Sequence, residues 1–330
     1  MATSVEGNGQ LRSHLGLMQP RQVRTLRRAA WQRFQRNWLA LFSLIYIGVL
    51  LAVALLAPLL SPHNPVRADV RTAGSFRQAA WIDDPEPTRS GSWTYPLGTD
   101  SIGRDVFSRV LFGSRVSLLV GVITAVVTLL IGVIIGLAAG YGSLRIDNAL
   151  MRLTDVVYAF PALLFIIVMQ IAFRESWAGN LLNGLVLLFV TLSIVNWTGV
   201  ARLVRGEVLS VKEREFIEAA RASGAGNWRV ITRHVLPNVL GPVIVSGAYI
   251  VPAAIITEAT LSYLGIGVRP SVALDAPFPS SWGNMILDGS KAWESQPWML
   301  LGPSIVFASL TLAFTFVGDG LRDALDPRGR

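Results

Sequence analysis

The chain has 330 residues, a formal net charge of +8 and a mean hydropathy of +0.49, with 15% charged residues against 52% hydrophobic. Average globular domains carry about 25% charged residues, so the apolar excess needs lipid cover, and a soluble multi-domain enzyme is excluded. The absence of cysteine excludes disulfide frameworks, thiolate metal sites, iron-sulfur ligation and cysteine nucleophiles.

Uncharged apolar runs of about 17–25 residues can cross the roughly 30 Å hydrocarbon core as helices. Six such runs occur, which predicts an all-α membrane protein of six spans. Residues 1–37 form a leader with seven arginines (Arg12, Arg21, Arg24, Arg27, Arg28, Arg33, Arg36) and one acid, Glu6. The positive-inside rule places this leader in the cytoplasm. The first run, 38–60, is longer than the apolar core of a secretory signal and reads as a retained span.

An external loop, 61–112, follows. In it Asp100, Arg104, Asp105 and Arg109 give acid-to-arginine pairs at i,i+4, with Val106, Phe107, Val110 and Leu111 toward the other side. This pattern predicts an interfacial helix that orients span two; substrate contact is the alternative. Span two, 116–139, leads into a stripe of Gly132, Gly136 and Gly140, with Gly121 on nearly the same face. Such a stripe permits close helix contact; pore lining is the alternative.

Spans three and four are read at 156–173 and 181–201, span five at 235–257 and span six at 297–318. Pro242 and Pro252 predict kinks in span five. Residues 113–319 form the core domain and 320–330 a cytoplasmic tail. With both termini inside, the cytoplasmic segments hold 19 Lys and Arg and the external ones 10. The positive charge flanks membrane spans, so nucleic acid is not an expected partner. Trp282, Trp293 and Trp298 near the outer end of span six, and Trp31 and Trp38 near the inner end of span one, are expected at the headgroup level.

No catalytic constellation is present. His14, His63 and His234 fall in three separate segments without metal-ligand spacing, and neither GxSxG nor a membrane-protease GxSG occurs. A phosphate-binding P-loop needs Gly-Lys-Ser/Thr, but Lys212 follows Val211 and Lys291 follows Ser290. No metal or cofactor is expected, and any nucleotide that powers the protein binds another subunit. Ion coupling would place ionisable groups at mid-span; the six runs have none, although main-chain carbonyls leave Na⁺ coupling open.

Residues 210–238 read SVKEREFIEAARASGAGNWRVITRHVLPN. Glu213 to Ser223 predicts a short amphipathic helix with Phe216, Ile217 and Ala220 on one face and Glu215, Glu218 and Arg221 toward the other. Gly224 and Gly226 end it. The small Ala219, Ala220 and Ala222 suit a helix that sits in a partner's groove; a helix lying on the membrane is the alternative. Pro237 begins span five, where a proline at the first turn costs no hydrogen bond. A docked helix would thereby be joined stiffly to a span. Glu258, at the outer end of span five, reads either as an interfacial hydrogen-bonding group or as an outer gate.

The run Glu218-Ala219-Ala220, Gly224, then His234, Leu236 and Pro237 resembles the EAA loop of ATP-binding-cassette importer permeases, and its HxLPN ending is similar to the dipeptide, oligopeptide and nickel branch. The likeness extends to PLGTDSIGRDVFS at 96–108, to Gly140-Tyr141 with Asp147, Met151-Arg152, Asp155 and Pro161, and to Glu258 with LSYLG at 261–265. Ser281-Trp282-Gly283, Gly318-Asp319, Leu321-Arg322-Asp323 and Leu325-Asp326-Pro327 complete it. Tyr95 stands where histidine is usual, and the stretch 65–94 is long for the branch.

The resemblance implies a type I importer permease fold and a transport subunit rather than an enzyme. It also implies a homologous permease, two ATP-binding-cassette ATPases that dock at the loop, and an extracytoplasmic solute-binding protein as partners. Short peptides are the expected substrate, with nickel or another small solute as the alternative in the branch. An ion-coupled secondary transporter is the rival from another class, and a membrane scaffold without transport is a further one.

Overall fold

The structure is a computed structural model in which residues 26–325 are described. Glu6, Arg12, His14, Arg21 and Arg24 of the leader, and Asp326 and Pro327 of the tail, lie outside the described residues. Ten helices carry the architecture. They are α1 (Leu26–Arg36), α2 (Trp38–Leu60), α3 (Val106–Tyr141), α4 (Leu144–Ala159), α5 (Ala162–Ala172), α6 (Leu185–Lys212), α7 (Glu215–Ala222), α8 (Leu236–Tyr263), α9 (Trp282–Lys291) and α10 (Trp298–Leu325). Among the described residues, five helical segments are long and apolar enough to cross a membrane, and the α4–α5 pair, bent by 80°, makes a sixth when taken as one span.

Span two differs from the sequence expectation. The segment read as a separate interfacial helix is the outer end of α3, a 36-residue helix that runs unbroken from Val106, so the boundary at 112/113 falls inside a helix. The cause is the disposal of one charge. The Arg109 side chain is 2% exposed, with its guanidinium 2.8 Å from Asp100 and 3.0 Å from Asp288. A buried charge that is paired and hydrogen-bonded can sit in a packed helix. Of the expected i,i+4 pairs, Asp100 and Arg104 meet at 2.6 Å. Asp105 instead caps α3 by accepting from the amides of Phe107 and Ser108.

The third span breaks where Pro161 forbids helix continuation. Phe160 is extended (φ −77°, ψ 135°), as expected of a residue before proline. Span four reaches 11 residues beyond its apolar run and carries Arg202, Arg205 and Glu207 into the cytoplasmic end of α6. Arg205 grips Asp147 of α4 through two bonds of 2.6 and 2.7 Å, and Arg202 meets Asp155 at 2.8 Å.

The glycine stripe packs and does not line a pore. A Cβ at Gly132, Gly136 or Gly140 would lie 2.5, 2.6 or 2.7 Å from the Cβ of Val200, Val204 or Val208. Each glycine is therefore a hole that receives one valine of α6, and the two backbones approach closely. Gly121 does the same toward Val251 and Ile255 of α8.

α9 was not foreseen, and it changes the reading of Trp282. That ring is fully buried. Its Nε1 donates to the Val110 carbonyl at 2.9 Å, and Gly113 leaves room for the indole. Trp282 is thus a core residue rather than a headgroup-level one, whereas Trp31, Trp38 and Trp293 are exposed. Trp298 is half-buried and meets Trp81 edge-on at 5.0 Å.

Candidate coupling interface

The cytoplasmic loop between α6 and α8 is assembled around one apolar anchor. Ile217 of α7 is fully buried in a cluster with Val204, Val208 and Val211 of α6, Val230 and Val235 of the loop, and Val239 and Val243 of α8. The face opposite Ile217 is left open. Glu215, Phe216, Glu218 and Ala219 are exposed, and Ala220 is half-buried. Gly224 ends the helix at φ +82°, where a side chain would be strained. The Ala225 amide then donates to the Ala220 carbonyl at 3.1 Å.

Tyr141, the last residue of α3, braces the loop from the side. Its hydroxyl donates to Asn227 at 3.0 Å, and Lys212 and Arg221 lie over its ring at 5.9 and 5.7 Å. Lys212 also donates to the Gly140 carbonyl at 3.4 Å. Trp228, 77% exposed, projects from the same surface. Tyr141, Asn227, Lys212 and Trp228 were not assigned a role in this loop by the sequence. Gly140-Tyr141 stood only within the wider resemblance, and the contact spans 86 positions to Asn227, beyond the reach of local periodicity.

His234 and Phe216 come together, with ring centroids 6.4 Å apart. His234 lies in a π-helical turn, Ile231–Val235, that joins the short helix Asn227–Val230 to α8. Pro237 stands in the first turn of α8, as expected, although the helical path already runs from Asn227. A proline removes the i to i−4 bond and crowds the carbonyl four residues back. The widened turn just before it accommodates that clash. Leu236 is half-buried and Pro237 exposed.

Glu258 stands apart from this cluster. It lies 22 residues beyond Leu236, about 33 Å along a helix, and is fully buried. Ser262 donates to its Oε1 at 2.7 Å, and Ser281, the N-cap of α9, is 3.3 Å from the Ser262 hydroxyl. Its Oε2 has no hydrogen-bond partner among the described residues. The carboxylate thus belongs to the contact between α8 and α9 inside the chain.

The exposed α7 surface thus lies on the loop between α6 and α8 of a bundle with up to six spans among the described residues. Residues 132–330 match the family described as binding-protein-dependent transport system inner membrane component, and residues 25–79 match the N-terminal TM domain of oligopeptide transport permease C.

The chain belongs to the binding-protein-dependent transport system inner membrane component family.

Among its relatives, the dipeptide transport system permease protein of Bacillus subtilis (strain 168) is 40% identical over 91% of this chain and 85% of that protein. The oligopeptide transport system permease protein of Salmonella typhimurium is 38% identical over 92% and 93%. The glutathione transport system permease protein of Pectobacterium atrosepticum is 34% identical over 95% of each. An inward-facing structure of the methionine ABC transporter superposes with a TM-score of 0.52 at 16% identity, covering 67% of this chain and 96% of that one. That likeness concerns the fold, which is that of a type I importer permease. As a member of the inner membrane component family, the chain is a multi-pass permease, a transport subunit and not an enzyme.

Proposed function

We propose that this permease pairs with a homologous permease and two cytoplasmic ATP-binding-cassette ATPases to import short peptides delivered by an extracytoplasmic binding protein. The membrane would be a bacterial cytoplasmic membrane. The observation that carries the docking reading is α7 itself, held by Ile217 from within and leaving Glu215, Phe216, Glu218 and Ala219 exposed beside Trp228. An exposed short helix of this kind, with Phe216 and Trp228 as apolar contacts beside two acids, suits a groove in a partner. ATP binding would close the ATPases, move the paired loops together and open the pathway outward. The peptide assignment rests on the relatives, which are named for dipeptides, oligopeptides and glutathione.

Glu218, Ala219, Ala220, Gly224, His234, Leu236 and Pro237 are the proposed coupling residues. Glu258 is proposed as a latch of the outer gate, supported by its link through Ser262 to Ser281 at the start of α9. Ala219→Trp tests the docking, since Ala219 is exposed and the change leaves the Ile217 anchor untouched. The expected result is normal abundance in the membrane with ATPase association and peptide uptake both lost. Ser143→Trp, at the exposed N-cap of α4, is expected to leave both intact. Wild-type uptake by Ala219→Trp would overturn the docking surface.

A further inference from the structure

The leader's last helix, α1, is used by nothing described so far. Four of its 11 residues are arginine (Arg27, Arg28, Arg33, Arg36) and none is acidic. It is joined to α2 through Asn37, whose side chain accepts from the Ala40 amide at 3.2 Å and caps the membrane span. On the protein side Phe34 is buried with Ala40, Val317 and Ala324, and Gly320 of α10 leaves the space that the Phe34 ring and the Ala40 methyl occupy. On the other side Arg33, Arg36 and Trp31 are exposed, the Trp31 ring lying 51% open and stacked on Phe34 at 5.8 Å. Trp38, at the first position of the span, is exposed as well.

Arginines beside exposed tryptophans, at the cytoplasmic mouth of a membrane span, match the chemistry of a lipid headgroup layer. The rings favour the interfacial depth, and a basic cluster just inside a span is drawn to the negative surface of the inner leaflet. We propose that α1 is an anionic-phospholipid-binding helix that seats on the cytoplasmic leaflet and clamps the inner end of α10. The clamp extends to α8, because the Tyr249 hydroxyl donates to Asp319 of α10 at 2.5 Å and the Tyr249 ring covers Gly318. Bound headgroups would thus brace α10 and, through it, α8, the span that follows the coupling loop. The occupant is the bilayer surface, since the arginines and the tryptophans lie on one segment and only a headgroup layer offers charge and interfacial depth together.

The test uses the full chain, purified and mixed with equal amounts of phosphatidylglycerol and phosphatidylcholine, with retained lipid counted by native mass spectrometry. Wild type is expected to retain phosphatidylglycerol in preference. The pair Arg33→Gln with Arg36→Gln is expected to lower that retention by roughly fivefold for each arginine removed, while phosphatidylcholine stays unchanged. Arg33→Lys with Arg36→Lys is expected to keep it, because charge rather than guanidinium geometry is recognised.

Unchanged phosphatidylglycerol retention in the glutamine pair overturns the proposal, as does an equal loss in the lysine pair. Displacement of the lipid by inorganic phosphate would identify a free-phosphate site and overturn it too. A second arm protects against misfolding. The chain has no cysteine, so Gln35→Cys, at an exposed position, takes a single spin label. In bilayer discs the label is expected to lose mobility when phosphatidylglycerol replaces part of the phosphatidylcholine. Loss of mobility only on adding the ATPase subunits would make α1 a protein contact and sink the lipid assignment.

Discussion

At the outer end of the bundle, Asp100, Arg109 and Asp288 bring three segments into one ionic cluster, Trp282 is enclosed, and Gln296 is fully buried with its amide donating to the Arg77 carbonyl. At the inner end, the loop between α6 and α8 is held by Ile217 and braced by Tyr141, while Trp228 and Phe216 lie exposed. The outer ionic cluster pairs its charges, and Trp282 its indole, within the chain. The loop at the inner end buries only one side of α7. A cluster closed on itself at one end and an open surface at the other teach where this subunit is braced from within and where a surface is left for another molecule.

Three substitutions sharpen or break that contrast. Arg109→Met leaves Asp100 buried with only Arg104 beside it, and removing one partner of a buried pair costs about 3–5 kcal/mol. The expected readout is loss of folded protein in membranes and a large drop in thermal stability of the purified chain. A stability near wild type would mean that the outer cluster is dispensable. Tyr141→Phe removes the bond to Asn227 and should cost about 1 kcal/mol, confined to the loop. Hydrogen exchange is expected to rise over 215–230 and stay unchanged in α3 and α6; an unaltered loop would show that Ile217 alone holds it. Trp228→Ser touches an exposed ring, so stability should move by less than about 0.5 kcal/mol. ATP-driven uptake should nevertheless fall sharply, and full uptake would remove Trp228 from the docking surface.

The sequence made the spans legible because lipid-facing helices need long apolar runs, and the Gly132-Gly136-Gly140 stripe was legible because its spacing lies in one helix. It concealed the features that depend on distant partners. The start of α3 was placed ten residues late because Arg109 and Arg115 look unsuitable for a packed helix until Asp288, 179 positions away, is known to neutralise Arg109. Trp282 looked interfacial because nothing local announces that Gly113 and the Val110 carbonyl receive it. Pro161 could have flagged the break in span three, but its apolar run continues across it. In the candidate site, α7 and its Gly224 stop were readable from amphipathy and turn chemistry. Tyr141 and Asn227 were not, since neither carries a periodic signal.

The π-helical turn at Ile231–Val235 has a consequence for how the loop and the span can vary. A π turn holds one residue more than the α turn it replaces, and each residue advances an α-helix by roughly 100°. The faces of the helical path before and after the turn are therefore out of phase by about that angle. A single-residue deletion within 231–235 would restore the α repeat and rotate the cytoplasmic segment Asn227–Val230 against α8, swinging Trp228 around the axis while every side chain stays chemically the same. The turn thus acts as a gear setting between two helical segments, one that fixes which compass bearing the Trp228 surface takes relative to the span behind it.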